Sequence, residues 1–305
     1  MNLRPVRKLQ LSYELARGAA TARHGTPVTD SDYEPDLLIG DDDVDVYKPD
    51  GSWLLSNRVA VYDPDQYKDL VKLVATMRGG VDGRRGNAVH RDAKLPLLCK
   101  DGTVSGSRIH HVPKLRSLGD AASFRFGYSG RDPLNPYARK TGDWEHYPEV
   151  FGEMLELFRT LDSKYREIAP EAHSRQSEAA RNSPWTIQDT CFSSVTVNRN
   201  WQSALHTDDG NFGPAVATVL TKGEPKGADL AFLQYFLPVR LRPGNVLVAD
   251  TRDEFHGNTA LYGVLGKTYR ISFFAYLHDS TLRCGSFEEE AGRRERWKKK
   301  RDRNA

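Results

Sequence analysis

Three polar side chains most constrain how this chain can fold. His206 and Asp208 are separated by one residue, and His256 follows about fifty residues later. Residues two apart on a strand point to the same side, so one strand can present the first pair together. Two imidazoles and one carboxylate can occupy one face of an octahedral Fe(II) ion and leave three positions open. A rigid site of this kind requires a distant strand to bring His256 to the pair.

The surrounding sequence supports a metal site. The Arg-Pro-Gly sequence at 242–244 is a turn signal, and the apolar run at 245–250 after it has the character of a short strand. His256 follows in the next loop, where a ligand can reach the mouth of a barrel. A His-x-Asp pair also arises by chance in a chain with nine histidines, and this second interpretation stays open.

A later run, 270–278, has the alternation of a strand and keeps Arg270, Ser272, Phe274, Tyr276 and His278 on one face. A buried cation is costly without a partner. The guanidinium group matches a carboxylate with two parallel hydrogen bonds, so Arg270 suits the distal carboxylate of 2-oxoglutarate, and the Ser272 hydroxyl can add a donor. An ordinary salt bridge from Arg270 to one of the chain's many acids is the alternative.

The second half of the chain is rich in short strand-like runs, whereas helical spacing precedes it. One helix is predicted to begin at Asp63-Pro64 and another at Pro148. These patterns predict an α+β fold with a mainly β catalytic core, a double-stranded β-helix (the jelly-roll barrel of the cupin kind) with supporting N-terminal helices. The predicted strands are 192–198, 215–221, 230–234, 238–241, 246–250 and 269–277.

The length of 305 residues and the hydrophobic content of 38% suit one domain with a sizeable core. We expect residues 1–45 to form a peripheral N-terminal arm, residues 46–290 a single catalytic domain and residues 291–305 a basic C-terminal tail. Within the domain, the glycine-rich basic stretch 79–106 is either a DNA-facing loop or a long connection.

Positive charge is concentrated at the C-terminus. Residues 291–305 hold eight basic and two acidic side chains, a local charge of +6 in a chain whose total is +3. Such a run can bind phosphates and recruit DNA in a salt-dependent manner. A tail that only keeps the protein soluble can have the same composition, so both interpretations remain.

The sequence contains neither a run of about 18 apolar residues nor an apolar signal core, which predicts a soluble, intracellular protein without a membrane partner. The three cysteines, Cys99, Cys191 and Cys284, are too scattered for a disulfide framework and fit a reducing compartment where Fe(II) persists. We expect the protein to lie in the cytoplasm, which for a virus-encoded protein is that of a bacterial host, or in the nucleus if the protein is eukaryotic. The oligomeric state is open, with a monomer as the expectation.

Two blocks of the sequence resemble the TET and J-binding-protein family of Fe(II)/2-oxoglutarate oxygenases, which act on nucleic-acid bases. The resemblance spans about residues 120 to 280 and is detailed from Ser193 to His278. It implies that residues 46–290 form a TET/JBP-like 2-oxoglutarate oxygenase domain. The matching residues are Ser194-Val195-Thr196, Ala204, His206, Asp208, Asn211 and the strand at 218–222 in the first block, and Arg270-Ile271-Ser272, Tyr276 and His278 in the second.

The resemblance implies a role for each of ten residues. The Fe(II) ligands would be His206, Asp208 and His256. The cosubstrate 2-oxoglutarate would be bound by Arg270 and Ser272, with Arg125 at its keto-acid end. A flipped 5-methylcytosine would accept and donate hydrogen bonds with Asn211 and His278, while Tyr276 would lie against the base and Thr196 would support it. Without the family, His278 could be a surface histidine at a strand end and Asn211 a turn residue beside Gly210.

The chain departs from animal TET enzymes in two respects. It has too few cysteines for their cysteine-rich zinc region, and it lacks the long low-complexity insert that divides their catalytic core. The resemblance is therefore to a compact form, nearer in build to phage, fungal or protist relatives.

The implied activity is oxidation of the methyl group of 5-methylcytosine in DNA to 5-hydroxymethylcytosine, with 2-oxoglutarate and O2 as cosubstrates. How far oxidation proceeds beyond this product is open. A base inside a duplex cannot reach a buried metal, so the base must be flipped out. Three alternatives remain: thymine hydroxylation of the J-binding-protein type, hydroxylation of a small molecule or protein side chain, and a DNA-binding module without catalytic activity.

Overall fold

The computed structural model describes residues 5–78, 96–98, 104–108, 122–262 and 268–303, and for 96–98 and 104–108 it describes the backbone alone. Most of the basic stretch 79–106, including Cys99, therefore lies outside the described residues. Short 3-10 turns occur at Asp30–Asp32, Pro35–Leu37, Pro64–Tyr67 and Leu233–Tyr235. The α-helices are α1 (Arg17–Ala22), α2 (Lys68–Thr76), α3 (Gly142–His146), α4 (Pro148–Ile168), α5 (Pro170–Arg181), α6 (Asp279–Leu282) and α7 (Phe287–Arg303).

Most strands of the described residues lie after residue 190, as the sequence predicts. They are short because turns and glycines interrupt the runs of β-branched and aromatic residues. The strands are β1 (Arg7–Gln10), β2 (Val44–Tyr47), β3 (Trp53–Arg58), β4 (Pro96–Leu98), β5 (Val104–Arg108), β6 (Ala122–Ser129), β7 (Arg139–Lys140), β8 (Ser194–Arg199), β9 (Ala215–Lys222), β10 (Lys226–Gly227), β11 (Leu230–Phe232), β12 (Leu237–Val239), β13 (Val246–Ala249), β14 (His256–Asn258), β15 (Leu261–Tyr262) and β16 (Tyr269–Tyr276).

Both predicted helices are present. Asp63 caps the first through a hydrogen bond from the backbone N–H of Asp65, and a 3-10 turn from Pro64 leads into α2. Helix α4 also begins with a proline, Pro148. Proline has no backbone N–H, and at the first position of a helix this group would have no hydrogen-bond partner within the helix. Apolar residues at intervals of three and four line the buried side of α4.

A nine-stranded sheet forms the main layer, in the order β1-β2-β3-β13-β9-β16-β8-β6-β7. All neighbouring pairs in it are antiparallel except β1 and β2, which are parallel. Alternation along β16 divides its side chains between two faces. Ile271, Phe273 and Ala275 belong to the core under α2 and α4, whereas Arg270 and Ser272 point to the opposite face.

A smaller antiparallel sheet, β12-β11-β14, packs against that opposite face. Leu230 and Phe232 of the small sheet share a core with Val219 and Leu247 of the large one. The two sheets form the flattened sandwich expected of a jelly roll, and the strands of the described residues do not close into a continuous barrel. The prediction of an α+β fold with a mainly β core is confirmed.

The two ends of the chain have more structure than the sequence indicated. In the segment predicted as a peripheral arm, β1 adds an edge strand to the large sheet, and Ile39 bridges to Val239 of the small sheet. Leu11 and Ile39 are buried there. The segment predicted as a basic tail is mostly α-helix, since α7 runs from Phe287 to Arg303. The strand predicted at 230–234 ends at Phe232 and continues as a 3-10 turn.

Candidate functional site

His206 and His256 are held side by side by the backbone. Each donates its N–H to the carbonyl oxygen of the other at 2.9 Å, which forms an isolated antiparallel bridge at the end of β14. The two rings consequently lie 4.4 Å apart between their centroids. This bridge joins the loop after β8 to the small sheet, so it brings together two residues about fifty positions apart in the chain.

The hydrogen bonds of the two imidazole rings fix the same tautomer in both histidines. Nδ1 of His206 lies 2.8 Å from the carbonyl oxygen of Ala204, and Nδ1 of His256 lies 3.0 Å from that of Glu254. A carbonyl only accepts, so both Nδ1 atoms carry the proton and both Nε2 atoms present a lone pair. Burial, together with the neighbouring His256, lowers the pKa of His206 to about 4. Its ring is therefore neutral near pH 7, as metal binding requires.

Asp208 completes the group. Its two carboxylate oxygens lie 3.6 Å from Nε2 of His206 and 3.6 Å from Nε2 of His256. The three ligand atoms all lie within 4.8 Å of one another, close enough to bind a single ion. The backbone N–H of Asp208 donates to the carbonyl oxygen of Thr251 at 2.9 Å, which fixes the turn that carries it. The donor set of two imidazoles and one carboxylate fits Fe(II) with open positions.

Arg270 lies on the inner face of β16 and is only 9% exposed. Within the described part of the chain its guanidinium has no ion pair, and Asp229, which acts on it from a distance, is itself paired with Arg240 at 2.9 Å. Burial lowers the pKa of Arg270 to about 10, so the group stays charged near neutral pH. A buried guanidinium group that faces a cavity and has no ion-pair partner there is suited to bind the carboxylate of a ligand.

Ser272 and Asn198 lie opposite each other on β16 and β8, next to Arg270 on the same face. The side-chain oxygen of Asn198 is buried and accepts no hydrogen bond from any described residue. Sequence reasoning missed Asn198, although it lies two residues after the predicted Thr196 and strand alternation places the two on one face. An orphaned polar atom here fits a ligand that brings its own donor or a water.

Asn211 and His278 form a second isolated bridge, on the other side of the cavity. Nδ1 of His278 accepts a hydrogen bond from the backbone N–H of Ser280 at 3.2 Å, so Nε2 carries the ring proton and is a donor. Asn211 is buried and donates through Nδ2 to the Thr251 hydroxyl at 3.1 Å, which leaves its carbonyl oxygen as an acceptor. A Cβ atom on Gly210 would lie 2.4 Å from Nε2 of His278, so only glycine allows this ring position.

Tyr276, Thr196 and Arg125 line the cavity between these two ends. The hydroxyl groups of Tyr276 and Thr196 lie 3.3 Å apart. Arg125 pairs with Thr196 in the β6–β8 register, and its side chain donates to the Ser129 hydroxyl. Burial and the positive charge of Arg125 lower the pKa of His278, while Asp279 opposes the shift. Arg125 thus acts electrostatically on the His278 side of the cavity; its predicted contact with the keto acid stays a prediction.

All ten predicted site residues line one open cavity of about 230 Å³ on the inner face of the large sheet. It also contains residues that the sequence reasoning did not select, namely Asn198, Trp201, Ser203, Asp209, Gly210, Ala215, Ala228, Leu230, Leu241, Asn258 and Phe274. Asn258 could have been found from its position two residues after His256. Its side chain binds the backbone at Trp201 and Ser203, and thereby holds the loop that leads to His206.

A buried network supports the loop that carries His256. The carboxylate of Glu254 accepts hydrogen bonds from Gln234 at 2.6 Å and from the Tyr235 hydroxyl at 2.9 Å, and it forms an ion pair with Lys48. Gln234 in turn accepts from the backbone N–H of Phe255. No local sequence signal reveals this network, because its members come from three distant segments.

A second group of possible ligands, Asp162, His173 and Cys191, lies away from the cavity among α4, α5 and the segment before β8. Asp162 accepts from the Cys191 backbone N–H at 2.8 Å and lies 3.2 Å from Nε2 of His173. Gln176 donates to the Cys191 sulfur. These contacts satisfy the polar groups internally, as in a packing network.

Residues 130–279 match the sequence model of a family described as the oxygenase domain of the 2OGFeDO superfamily. The chain is 37% identical over 135 residues to the bifunctional helicase and thymine dioxygenase JBP2 of Leishmania braziliensis, and 30% identical over 135 residues to thymine dioxygenase JBP1 of the same organism. Each alignment covers 44% of this chain, and 12% of JBP2 or 16% of JBP1. The chain thus spans a small part of the length of the curated relatives it matches.

Among solved structures, NgTET1 in complex with 5mC DNA matches with a TM-score of 0.53, covering 88% of this chain and 94% of NgTET1. At 13% identity the likeness concerns the fold alone. It confirms the predicted double-stranded β-helix architecture. In the described residues no helix is both long and apolar enough to cross a bilayer.

The matched range contains nine of the ten predicted site residues, all but Arg125. The family match, the similarity to the JBP proteins and the shared fold agree with the motifs read from the sequence. Residues 130–279 therefore form a domain of the TET/JBP family of oxygenases, which depend on Fe(II) and 2-oxoglutarate.

Proposed function

We propose that this protein oxidises the 5-methyl group of a pyrimidine base in DNA, using Fe(II), 2-oxoglutarate and O2. The observation that carries the proposal is the set of side chains in one cavity. A cluster of two histidines and one carboxylate shares this cavity with a buried guanidinium group and with the polar side chains of Asn211 and His278. Each of these groups matches one of the three components that such a reaction must bring together.

His206, Asp208 and His256 would hold the metal, since their ligand atoms converge and their Nδ1 protons are already committed to backbone carbonyls. Arg270 and Ser272 would bind the distal carboxylate of 2-oxoglutarate. When bound, the metal and cosubstrate supply oxidation of a methyl group to a hydroxymethyl group, with one molecule of O2 consumed and succinate and carbon dioxide released. The protein's task is to position both partners and exclude bulk water.

The substrate end of the cavity would receive a base flipped out of the duplex. The His278 Nε2–H is a donor and the Asn211 side-chain oxygen is an acceptor, so together they can address the polar edge of a pyrimidine. Tyr276 would lie against the ring and Thr196 would support Tyr276 through the contact between their hydroxyl groups. Arg125 adds a positive charge on this side.

The sequence predicts 5-methylcytosine as the base. Thymine is the second candidate, favoured by one observation: the JBP1 and JBP2 relatives, which are 30% and 37% identical over 135 residues of this chain, are named as thymine dioxygenases. The two bases differ at the edge that Asn211 and His278 face, where cytosine has an amino group and thymine a carbonyl oxygen.

One experiment tests the proposal and separates the two bases. Pure protein is incubated with Fe(II), 2-oxoglutarate and duplex DNA that contains either 5-methylcytosine or only unmodified bases including thymine, and the digested nucleosides are analysed by mass spectrometry. We expect 5-hydroxymethylcytosine, or 5-hydroxymethyluracil if thymine is the substrate. The His206→Ala variant should form neither product. Consumption of 2-oxoglutarate without either product, and without stimulation by DNA, would point to a small-molecule or protein substrate instead.

We place this activity inside the cell, because Fe(II) and the free thiols of Cys191 and Cys284 suit a reducing compartment. A monomer is the expected form, since the residues assigned to the metal, the cosubstrate and the base all come from one chain.

A further inference from the structure

Helix α7 carries two different faces. Successive residues turn by about 100° around an α-helix. Glu290, Arg294, Trp297 and Arg301 therefore lie on one side. Four basic residues lie on the far side, which we call the basic stripe: Arg296, Lys299, Lys300 and Arg303, all exposed.

The first side is docked onto the body of the protein. Glu290 is fully buried and forms an ion pair with Arg131, and it also accepts hydrogen bonds from the backbone N–H groups of Ala138 and Gly285. Further along, the ring of Trp297 packs edge-on against Tyr137 at 5.7 Å. These contacts hold the helix in one orientation, so the basic stripe has a defined direction relative to the rest of the fold.

The four side chains of the basic stripe form no ion pair with any residue that the structure describes. Three other basic residues of the helix are paired, Arg293 with Glu290 at 3.5 Å, Lys298 with Glu295 at 3.7 Å and Arg301 with Asp302 at 3.4 Å. In contrast, no described residue forms an ion pair with any member of the stripe. Two pairs of positive charges are spaced four residues apart along the helix, Arg296 with Lys300 and Lys299 with Arg303. Charges of the same sign at this spacing repel each other and destabilise a free helix. A polyanionic partner would remove this repulsion.

The position of α7 links the stripe to the substrate end of the cavity. The helix begins shortly after His278, by way of α6, and it docks on the segment that continues from β6, which carries Arg125. Gly130 of that segment lies against Ser280, so closely that a Cβ atom would clash with it. The helix therefore packs on the segment that follows β6, the strand of Arg125, and this segment in turn contacts the turn that begins at His278.

We propose that the basic stripe binds the phosphate backbone of duplex DNA beside the base that enters the cavity. The inference rests on the proposed function, whose substrate is a base within DNA. The stripe extends over about 10 Å at 1.5 Å per residue, and one DNA strand carries a phosphate about every 3.4 Å along the axis, so the four cations match roughly three consecutive phosphates. Contacts of this type position a duplex without reading its sequence.

The test compares three full-length proteins. The stripe variant carries Arg296→Gln, Lys299→Gln, Lys300→Gln and Arg303→Gln, changes that preserve helix propensity and leave the docked side intact. The control variant removes the same charge from exposed positions of two other helices, α2 and α5, with Lys68→Gln, Lys72→Gln, Arg175→Gln and Arg181→Gln. Affinity for a labelled duplex of about 20 base pairs is measured by fluorescence anisotropy at several salt concentrations.

We expect the stripe variant to bind roughly tenfold or more weakly than wild type, and the slope of log affinity against log salt to fall by about 3. The control variant should resemble wild type. Succinate formation from 2-oxoglutarate without DNA should be the same in all three proteins, which shows that the cavity is intact.

The proposal is overturned if the stripe and control variants bind duplex DNA equally well. It is also overturned if the stripe variant loses affinity for duplex RNA but keeps it for DNA, because the partner is then RNA. Failure of the proposed function looks different: wild type would bind DNA through the stripe yet leave its methyl groups unchanged.

Discussion

At the scale of single residues, Arg270 is the side chain whose chemistry is least replaceable. It brings a full charge to a position only 9% exposed, where no described residue forms an ion pair with it. Lysine keeps the charge but lacks the planar fork that binds both carboxylate oxygens. Replacing Arg270 with lysine therefore tests the effect of geometry on carboxylate binding while the positive charge is kept.

We predict that Arg270→Ala raises the KM for 2-oxoglutarate by roughly 10- to 150-fold, the equivalent of about 1.5–3 kcal/mol for a charged hydrogen-bonded contact. Arg270→Lys should recover only part of the loss. Metal affinity, measured by anaerobic titration, should not change in either variant. An unaltered KM in Arg270→Ala would show that the cosubstrate's distal carboxylate lies elsewhere.

A second prediction at this scale concerns substrate recognition. Asn211→Ala and His278→Ala should each reduce methyl oxidation about tenfold or more, because each removes one hydrogen bond to the base edge. Uncoupled succinate production should persist, since neither residue contacts the metal or the cosubstrate in our assignment. The His206→Ala variant provides the comparison, as it should lose both reactions. Parallel loss of both reactions in Asn211→Ala would contradict a role in binding the base.

At the scale of elements, the turn that carries His256 depends on contacts from distant segments. Glu254 is buried and is held by Lys48, Gln234 and Tyr235, while its backbone carbonyl orients the His256 ring. Residues that hydrogen-bond to a metal ligand and orient it typically change the metal affinity by about 10- to 100-fold when they are mutated. Glu254 is therefore a positioning residue for the metal.

We predict that Glu254→Ala raises the dissociation constant for Mn(II), used as a redox-stable substitute for Fe(II), by about 10- to 100-fold. The neighbouring Asp253 is exposed, and among the described residues its carboxylate forms an ion pair only with Arg17, at 3.8 Å. Asp253→Ala therefore serves as the matched control and should bind metal normally. Calorimetric titration under argon measures both. Equal affinities in the two variants would remove Glu254 from the metal-positioning network.

At the scale of the whole molecule, Glu290 joins the C-terminal helix to the body. Burial acts to raise the pKa of this carboxyl, but hydrogen bonds from Arg131 and from two backbone N–H groups outweigh it and lower the pKa to about 2. A carboxyl whose pKa is lower in the folded state stabilises the fold above its unfolded pKa of about 4.5. The contribution is lost as the pH falls from there toward 2.

We predict that wild type loses about 2 kcal/mol of unfolding free energy between pH 5 and pH 2.5 through this group, and that Glu290→Gln removes that part of the acid sensitivity. The variant should be less stable at pH 6 and should approach wild type at low pH. Urea unfolding at fixed ionic strength across this range measures the difference. Parallel stability curves for the two proteins would show that Glu290 titrates normally in the folded state.

Much of the site and the core could be predicted from local sequence patterns. Strand alternation placed Arg270, Ser272 and Tyr276 on one face, and helical spacing located α2 and α4, because both patterns depend on residues close together in the chain. The chemistry of imidazole, carboxylate and guanidinium groups then suggested a metal and a dicarboxylate before any contact was known.

Long-range pairing decided the rest. The bridge between His206 and His256, the place of β1 at the sheet edge and the docking of α7 through Glu290 each join segments that no local pattern connects. By itself, the sequence determined which side chains could bind a metal and a dicarboxylate, since those properties belong to the residues themselves, whereas the base-binding residues were implied by the resemblance to the family. Only the tertiary structure decided that all ten line one cavity and that α7 docks with its basic stripe exposed, because loop closure and packing select among many possible pairings.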